Sequence, residues 1–284
     1  MVKSLTLFLN CLLIILSSCG QPVTKPAPLN CSNRHIQDSL VKKYITNGAE
    51  KLPYMYNDPR WELYCDSIIA MCPNTAAAYQ LKAVPYIKNG EYEKAFKLND
   101  KAVESDPQGY TAYRGFLKCI FTKDYEAAII DFEKAQQLTP NGGEMDHTYM
   151  FYEGLCNLEL GNYSMAEEKF KQDIFIQTGG DKKKTPHFNT LLYVGILYYE
   201  MNNGEKAKEY LQKCLGVYNQ LPEANYYLAL QYEKEGQKML MKKHLATARQ
   251  SIIDGYSMNE DNIYYANYPH QVKLYEIEQK LNQQ

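Results

Sequence analysis

The stretch YIKNGEYEKA, residues 86–95, ends one helical pattern at a glycine and starts another directly after it. Related stretches recur at residues 122–128 (TKDYEAA), 158–166 (LELGNYSMA), 201–207 (MNNGEKA) and 233–239 (EKEGQKM). Each has the order helix end, glycine or polar turn, second helix start. Because one hairpin pattern recurs at a nearly regular spacing, the body of the chain is predicted to be a stack of helix pairs.

These helix pairs resemble the tetratricopeptide repeat, a unit of about 34 residues with small side chains where its two helices cross. Small residues recur at three positions of the repeat: Ala83, Gly115, Gly154, Gly195 and Ala229; Ala95, Ala128, Ala166 and Ala207; Ala102, Ala135, Cys214 and Ala248. A small side chain lets two helix axes approach to about 8–9 Å, and larger neighbours fill the flanks. Met241 and Asp173 depart from this pattern, and longer spacings predict enlarged loops near residues 139–147 and 177–187.

The resemblance implies an all-α, right-handed superhelical solenoid of helix-turn-helix repeats. We expect a degenerate leading helix pair over residues 33–73 and five repeat units over 74–254. Residues 255–284 follow as a C-terminal segment, with a capping helix from Pro269 to Asn282. Strand patterns are absent from the sequence.

The N-terminus has the features of an export signal. Residues 1–18 combine Lys3 with an apolar run too short to span a bilayer comfortably, followed by two serines. Residues 16–20 (LSSCG) resemble the bacterial lipobox, which implies acylation of Cys19. Residues 19–32 are then a proline-rich tether. We therefore expect a protein anchored by lipid in the bacterial cell envelope, on the outer membrane and facing the periplasm.

Composition and motifs argue against several classes of function. The 284 residues carry 31 basic and 33 acidic side chains, a balance that argues against a nucleic-acid partner. The five histidines are scattered, and residues 179–185 (GGDKKKT) resemble a phosphate loop only faintly, so a solvated basic loop is the better interpretation. The sequence therefore predicts a protein that is not an enzyme and has no catalytic site, metal or cofactor.

The cysteines other than Cys19 are interpreted mainly as packed thiols. Cys65 and Cys72 are about 10 Å apart along one helix, beyond disulfide reach. An exported location still permits bridges between cysteines that are distant in the sequence.

The resemblance implies that the inner surface of such a solenoid is its binding site. Its first helices are expected to present an apolar groove formed by Val84, Phe116, Phe151, Leu155, Leu192, Ile196, Tyr199, Tyr226 and Leu230. Such a groove suits a peptide segment or envelope protein with apolar anchors. The alternative is that tight curvature packs these side chains against adjacent repeats.

The predicted function is therefore assembly of protein complexes at the membrane, without catalysis. The alternative is a lipoprotein that captures glycans or nutrients for an outer-membrane uptake system. That alternative predicts exposed aromatic platforms, at Trp61 or in the Tyr264–Tyr268 segment.

Overall fold

A computed structural model describes residues 29–258 and 268–283 of the chain. Thirteen α-helices are found there: α1 Arg34–Val41, α2 Arg60–Met71, α3 Ala76–Lys88, α4 Tyr92–Ser105, α5 Pro107–Leu117, α6 Tyr125–Leu138, α7 Tyr149–Glu159, α8 Tyr163–Thr178, α9 Phe188–Glu200, α10 Gly204–Val217, α11 Pro222–Lys234, α12 Lys238–Ile253 and α13 Leu274–Asn282. Within these ranges no helix is both long enough and apolar enough to cross a bilayer.

Helices α3 to α12 form five antiparallel hairpins that stack into an all-α solenoid, as the sequence predicts. Every small residue expected at a helix crossing is buried. Gly154 and Gly195 show why size matters there, since a Cβ at Gly154 would lie 2.8 Å from the Phe170 ring and one at Gly195 2.7 Å from Leu211. The crossings are therefore too close for a side chain larger than hydrogen at these two positions.

The leading helix pair is more irregular than the repeats. α1 continues into one π-helical turn, Lys42–Thr46, and short 3-10 turns, Ala49–Lys51 and Met55–Asn57, lead to α2. A disulfide joins Cys31 to Cys72 across this pair. For these two cysteines the packed-thiol interpretation is wrong, because the fold brings together residues that are 41 positions apart in the sequence.

The other cysteines of the described ranges agree with the packed-thiol interpretation. Cys65, Cys119, Cys156 and Cys214 are free and buried. Burial raises the pKa of the Cys65 and Cys214 thiols to about 12, so neither is a reactive thiolate at neutral pH.

Both enlarged loops are present, and one of them contains strands that the sequence did not predict. Strands β1 (Gly143–Glu144) and β2 (His147–Thr148) pair antiparallel between α6 and α7. This small hairpin contacts α5 as well as α7. The second loop connects α8 to α9 and contains Gly179 and Gly180, both with positive φ.

The C-terminal helix is shorter than predicted. It begins at Leu274 rather than at Pro269, and it packs Ile277 against α12. Residues 268–273, which we call the C-terminal strap, are not helical. The difference has a tertiary cause, because the Pro269 carbonyl, the His270 ring and the Val272 amide all bond to side chains of the repeat helices.

Candidate functional site

The C-terminal strap lies against the first helices of the last three repeats. The Tyr193 hydroxyl on α9 donates to the Pro269 carbonyl oxygen at 2.7 Å. The Val272 amide donates to the Glu223 carboxylate on α11 at 3.3 Å. The solenoid thus binds one carbonyl and one amide of this non-helical segment through buried polar groups.

His270 is the central contact of the strap. Its Nε2 lies 2.7 Å from Glu159 Oε1 on α7, and its Nδ1 lies 2.6 Å from the Tyr227 hydroxyl on α11. One imidazole therefore joins two first helices that are not adjacent in sequence. With the Tyr227 hydroxyl bonded to one ring nitrogen and the Glu159 carboxylate close to the other, His270 fixes the position of the strap along the solenoid.

Four of the nine predicted groove residues do not line an open groove. They are Phe151, Leu155, Leu192 and Ile196, and all four are fully buried in one continuous core. These four pack against adjacent repeats, which is the alternative that the sequence left open. The other five side chains are half-buried: Val84, Phe116, Tyr199, Tyr226 and Leu230. All of these residues except Val84 lie in or against the same core, and Val84 stands apart from it.

The aromatic platforms expected for glycan capture are not exposed where the structure describes them. Trp61 is only 4% exposed, and its indole N–H donates to the Leu81 carbonyl oxygen at 2.8 Å. Tyr268 is half-buried, with its ring centroid 6.3 Å from that of His147. Residues 264–267 lie outside the described ranges, as does Cys19.

A buried polar cluster joins the third and fourth repeats, and the sequence did not predict it. Asp173 on α8 accepts hydrogen bonds from the Thr148 hydroxyl (2.7 Å), the Thr190 hydroxyl (2.7 Å) and the Gln177 amide (2.8 Å). Three donors satisfy a carboxylate whose pKa is raised by burial. The signal was available, since Asp173 occupies a position where the repeat otherwise has a small residue.

Two histidines lie beside this cluster. Burial lowers the pKa of His147 to about 3 and also lowers that of His187, so both rings are neutral at pH 7. Their centroids are 5.0 Å apart, and His147 stacks on Phe151 at 4.0 Å. Neutral, packed rings tie the β1–β2 hairpin to the repeats. In the described ranges no group of three or more His, Cys, Asp or Glu side chains could hold a metal ion.

Glu223 gives the strap a testable pH dependence. Burial raises its pKa from 4.5 to about 7, so the folded protein takes up a proton between these values and loses stability as the pH rises from 5 to 8. Glu223→Gln keeps an acceptor for Val272 but cannot ionise. We expect this variant to melt about 4 °C higher than wild type at pH 8 and equally at pH 5, measured by circular dichroism.

His147 and His187 titrate in both wild type and variant, so their effects on the melting temperature cancel in this comparison. If the melting temperatures of Glu223→Gln and wild type differ by the same amount at pH 5 and pH 8, Glu223 does not ionise between these pH values.

The stacked hairpins, with the C-terminal strap packed on their first helices, form a helical-repeat solenoid of the tetratricopeptide type. Residues 119–141 and 194–220 match the family profile described as tetratricopeptide repeat. No curated protein matches the sequence.

Solved structures share the fold at low sequence identity. PilW, described as a widely conserved type IV pilus biogenesis factor, aligns with a TM-score of 0.60 at 14% identity, over 80% of this chain and 94% of that chain. PilF of Pseudomonas aeruginosa aligns at 0.58 and 18% identity, over 78% and 95%. MamA of Desulfovibrio magneticus aligns at 0.51 and 16% identity, over 63% and 96%. At these identities the likeness is one of fold.

Proposed function

We propose that this protein is a non-catalytic adaptor that assembles other proteins at a membrane of the bacterial cell envelope. It binds an extended segment with apolar anchors along its first helices. The observation that carries this proposal is the C-terminal strap, a non-helical segment of the protein's own chain held there by side chains of three successive repeats.

The contacts of the strap indicate what kind of segment fits. Tyr193 and Glu223 bond to its main-chain groups, which any peptide carries, whereas Tyr227 bonds to the side chain of His270 and Glu159 lies beside it. Main-chain bonding gives affinity for extended peptide, and neighbouring pockets select its side chains. We place the partner on the part of the inner surface that begins at Val84 and Phe116, next to the repeats that hold the strap.

Photocrosslinking in intact cells tests this placement. A photoreactive benzophenone amino acid in place of half-buried Val84 is expected to crosslink one specific envelope protein. The matched control is the same substitution at Ile130, an exposed apolar residue on the second helix of a hairpin. The proposal fails if neither position captures a protein or if both capture the same set.

The membrane anchor rests on the sequence of residues 1–20 and has its own experiment. We expect mass spectrometry of the mature protein to find a diacylglyceryl group on Cys19. Cys19→Ala should move most of the protein from the membrane to the soluble fraction, since the acyl chains supply the membrane affinity. Unchanged partitioning of Cys19→Ala would remove the lipid anchor from the proposal and leave the groove experiment unaffected.

A further inference from the structure

A cleft of about 690 Å³ lies between the second helices α8 and α10 and the loop of residues 179–187. Its size falls within the range of small-ligand and peptide-anchor pockets, about 300–1,000 Å³. It is separate from the strap, which lies on the first helices. The cleft also shares no residue with the predicted groove.

The floor of the cleft is apolar and partly uncovered. It includes Ile174, Leu191 and Tyr210, and two further apolar residues stand open to water: Phe175, 64% exposed, and Val217, 49% exposed. Gly216 on α10 also lines the cleft, and a Cβ at this position would meet nothing within 4 Å. The cleft therefore has room for an apolar side chain from outside, and filling it would cover both exposed residues.

The rim of the cleft is basic. Four lysines line it, namely Lys171, Lys182, Lys184 and Lys213. The one carboxylate in the lining that the structure describes is Asp181, which accepts the Lys183 amide at 2.9 Å and so shapes its own loop.

The four lysines differ in how far they are neutralised. Lys171 pairs with Glu167 at 2.8 Å and Lys213 with Glu209 at 2.6 Å, each along its own helix. Lys182 and Lys184 are exposed on the loop and make no ion pair with any carboxylate of the described ranges. The uncompensated positive charge of the cleft is therefore concentrated on the loop that forms one of its walls.

We propose that this cleft is a second protein-binding site, which takes an acidic peptide segment with one apolar or aromatic anchor. The anchor enters between Phe175 and Val217, and its acidic neighbours pair with Lys182 and Lys184. This combination favours a peptide because charge complementarity at the rim adds to burial of a single side chain at the floor. The site extends the proposed adaptor function to a second place on the solenoid, formed mainly by α8 and α10, so that two partners can be bound at once.

Fluorescence anisotropy with defined peptides tests the proposal. The probe is fluorescein-labelled Asp-Glu-Phe-Glu-Asp, titrated with the full mature chain in a nonionic detergent at low salt. We expect saturable binding that weakens severalfold when the salt is raised to about 0.5 M, because the paired charges are exposed and screened. Asp-Glu-Ser-Glu-Asp lacks the anchor and Lys-Lys-Phe-Lys-Lys reverses the charge, so each is expected to bind at least tenfold more weakly.

Variants of the protein locate the site. Lys182→Glu with Lys184→Glu, and separately Phe175→Ser, should each weaken binding at least tenfold, and both alter exposed residues, so the fold should persist by circular dichroism. The matched control is Lys242→Glu with Lys243→Glu, an exposed lysine pair on α12, which should bind like wild type.

Three results would overturn this second site: no saturable binding, equal binding of the basic peptide, or equal loss in the α12 control. None of them bears on the inner surface, because photocrosslinking at Val84 is independent of this cleft. The two proposals can therefore fail separately.

Discussion

Phe151→Ala is expected to lower the free energy of unfolding by about 3–5 kcal/mol, the usual cost of removing a fully buried phenylalanine ring. Phe151 has no exposed surface. Its ring centroid lies 4.0 Å from that of His147, 5.6 Å from Tyr193 and 6.2 Å from Phe170. Truncation would open a cavity where the third and fourth repeats join. Urea unfolding followed by circular dichroism measures the effect.

Phe175→Ala is the matched control, since it removes the same ring from an exposed position. We expect it to change stability by no more than about 0.5 kcal/mol. The result also separates two roles of Phe151. If Phe151→Ala kept its stability and lost a bound partner, Phe151 would be a groove residue after all.

Loss of the Cys31–Cys72 disulfide has the second large effect. The intact disulfide closes a loop of 41 residues. The chain-entropy description of cross-links gives such a loop a contribution of about 4 kcal/mol to the free energy of unfolding. We expect Cys31→Ser to leave the repeats folded but to unfold the leading helix pair far more readily. In a stack of repeats each unit depends mainly on its neighbours, so a loss at one end stays local. Hydrogen exchange of α1 and α2 amides measures it.

Reduction of the wild-type protein should reproduce the effect, and Cys31→Ser should then become insensitive to reductant. Cys31→Ser with Cys72→Ser should match the single variant. Unchanged exchange in α1 and α2 in either experiment would show that packing around Trp61 and Ile68 suffices to hold this end together.

The sequence predicted the repeat fold because this fold restricts side-chain size at positions that are close together in the sequence. Two helices joined by a short turn must cross closely, and only small side chains allow this, so positions such as Ala95 and Gly154 can be recognised from spacing alone. The same reasoning gave five hairpins and both enlarged loops. It could not give the β1–β2 pairing, which depends on contacts with α5 and α7 rather than on a strand-like pattern.

The candidate site was only partly predictable. Position in the repeat correctly placed Phe151 and Leu192 on first helices but could not say whether they face solvent, since that depends on the curvature of the stack and on what covers it. Asp173 was visible as a departure from the pattern, while two of its three donors, Thr148 and Thr190, come from outside its own helix.

By itself, then, the sequence determined the hairpins, their number and their stacking, because each follows from side-chain size at neighbouring positions. Tertiary structure alone decided the contacts between residues far apart in the chain. Cys31 meets Cys72, and His270 meets Glu159 and Tyr227, because the stacked helices bring these groups within bonding distance. Helix periodicity records which face of a helix is apolar, and it contains no information on which distant segment will cover that face.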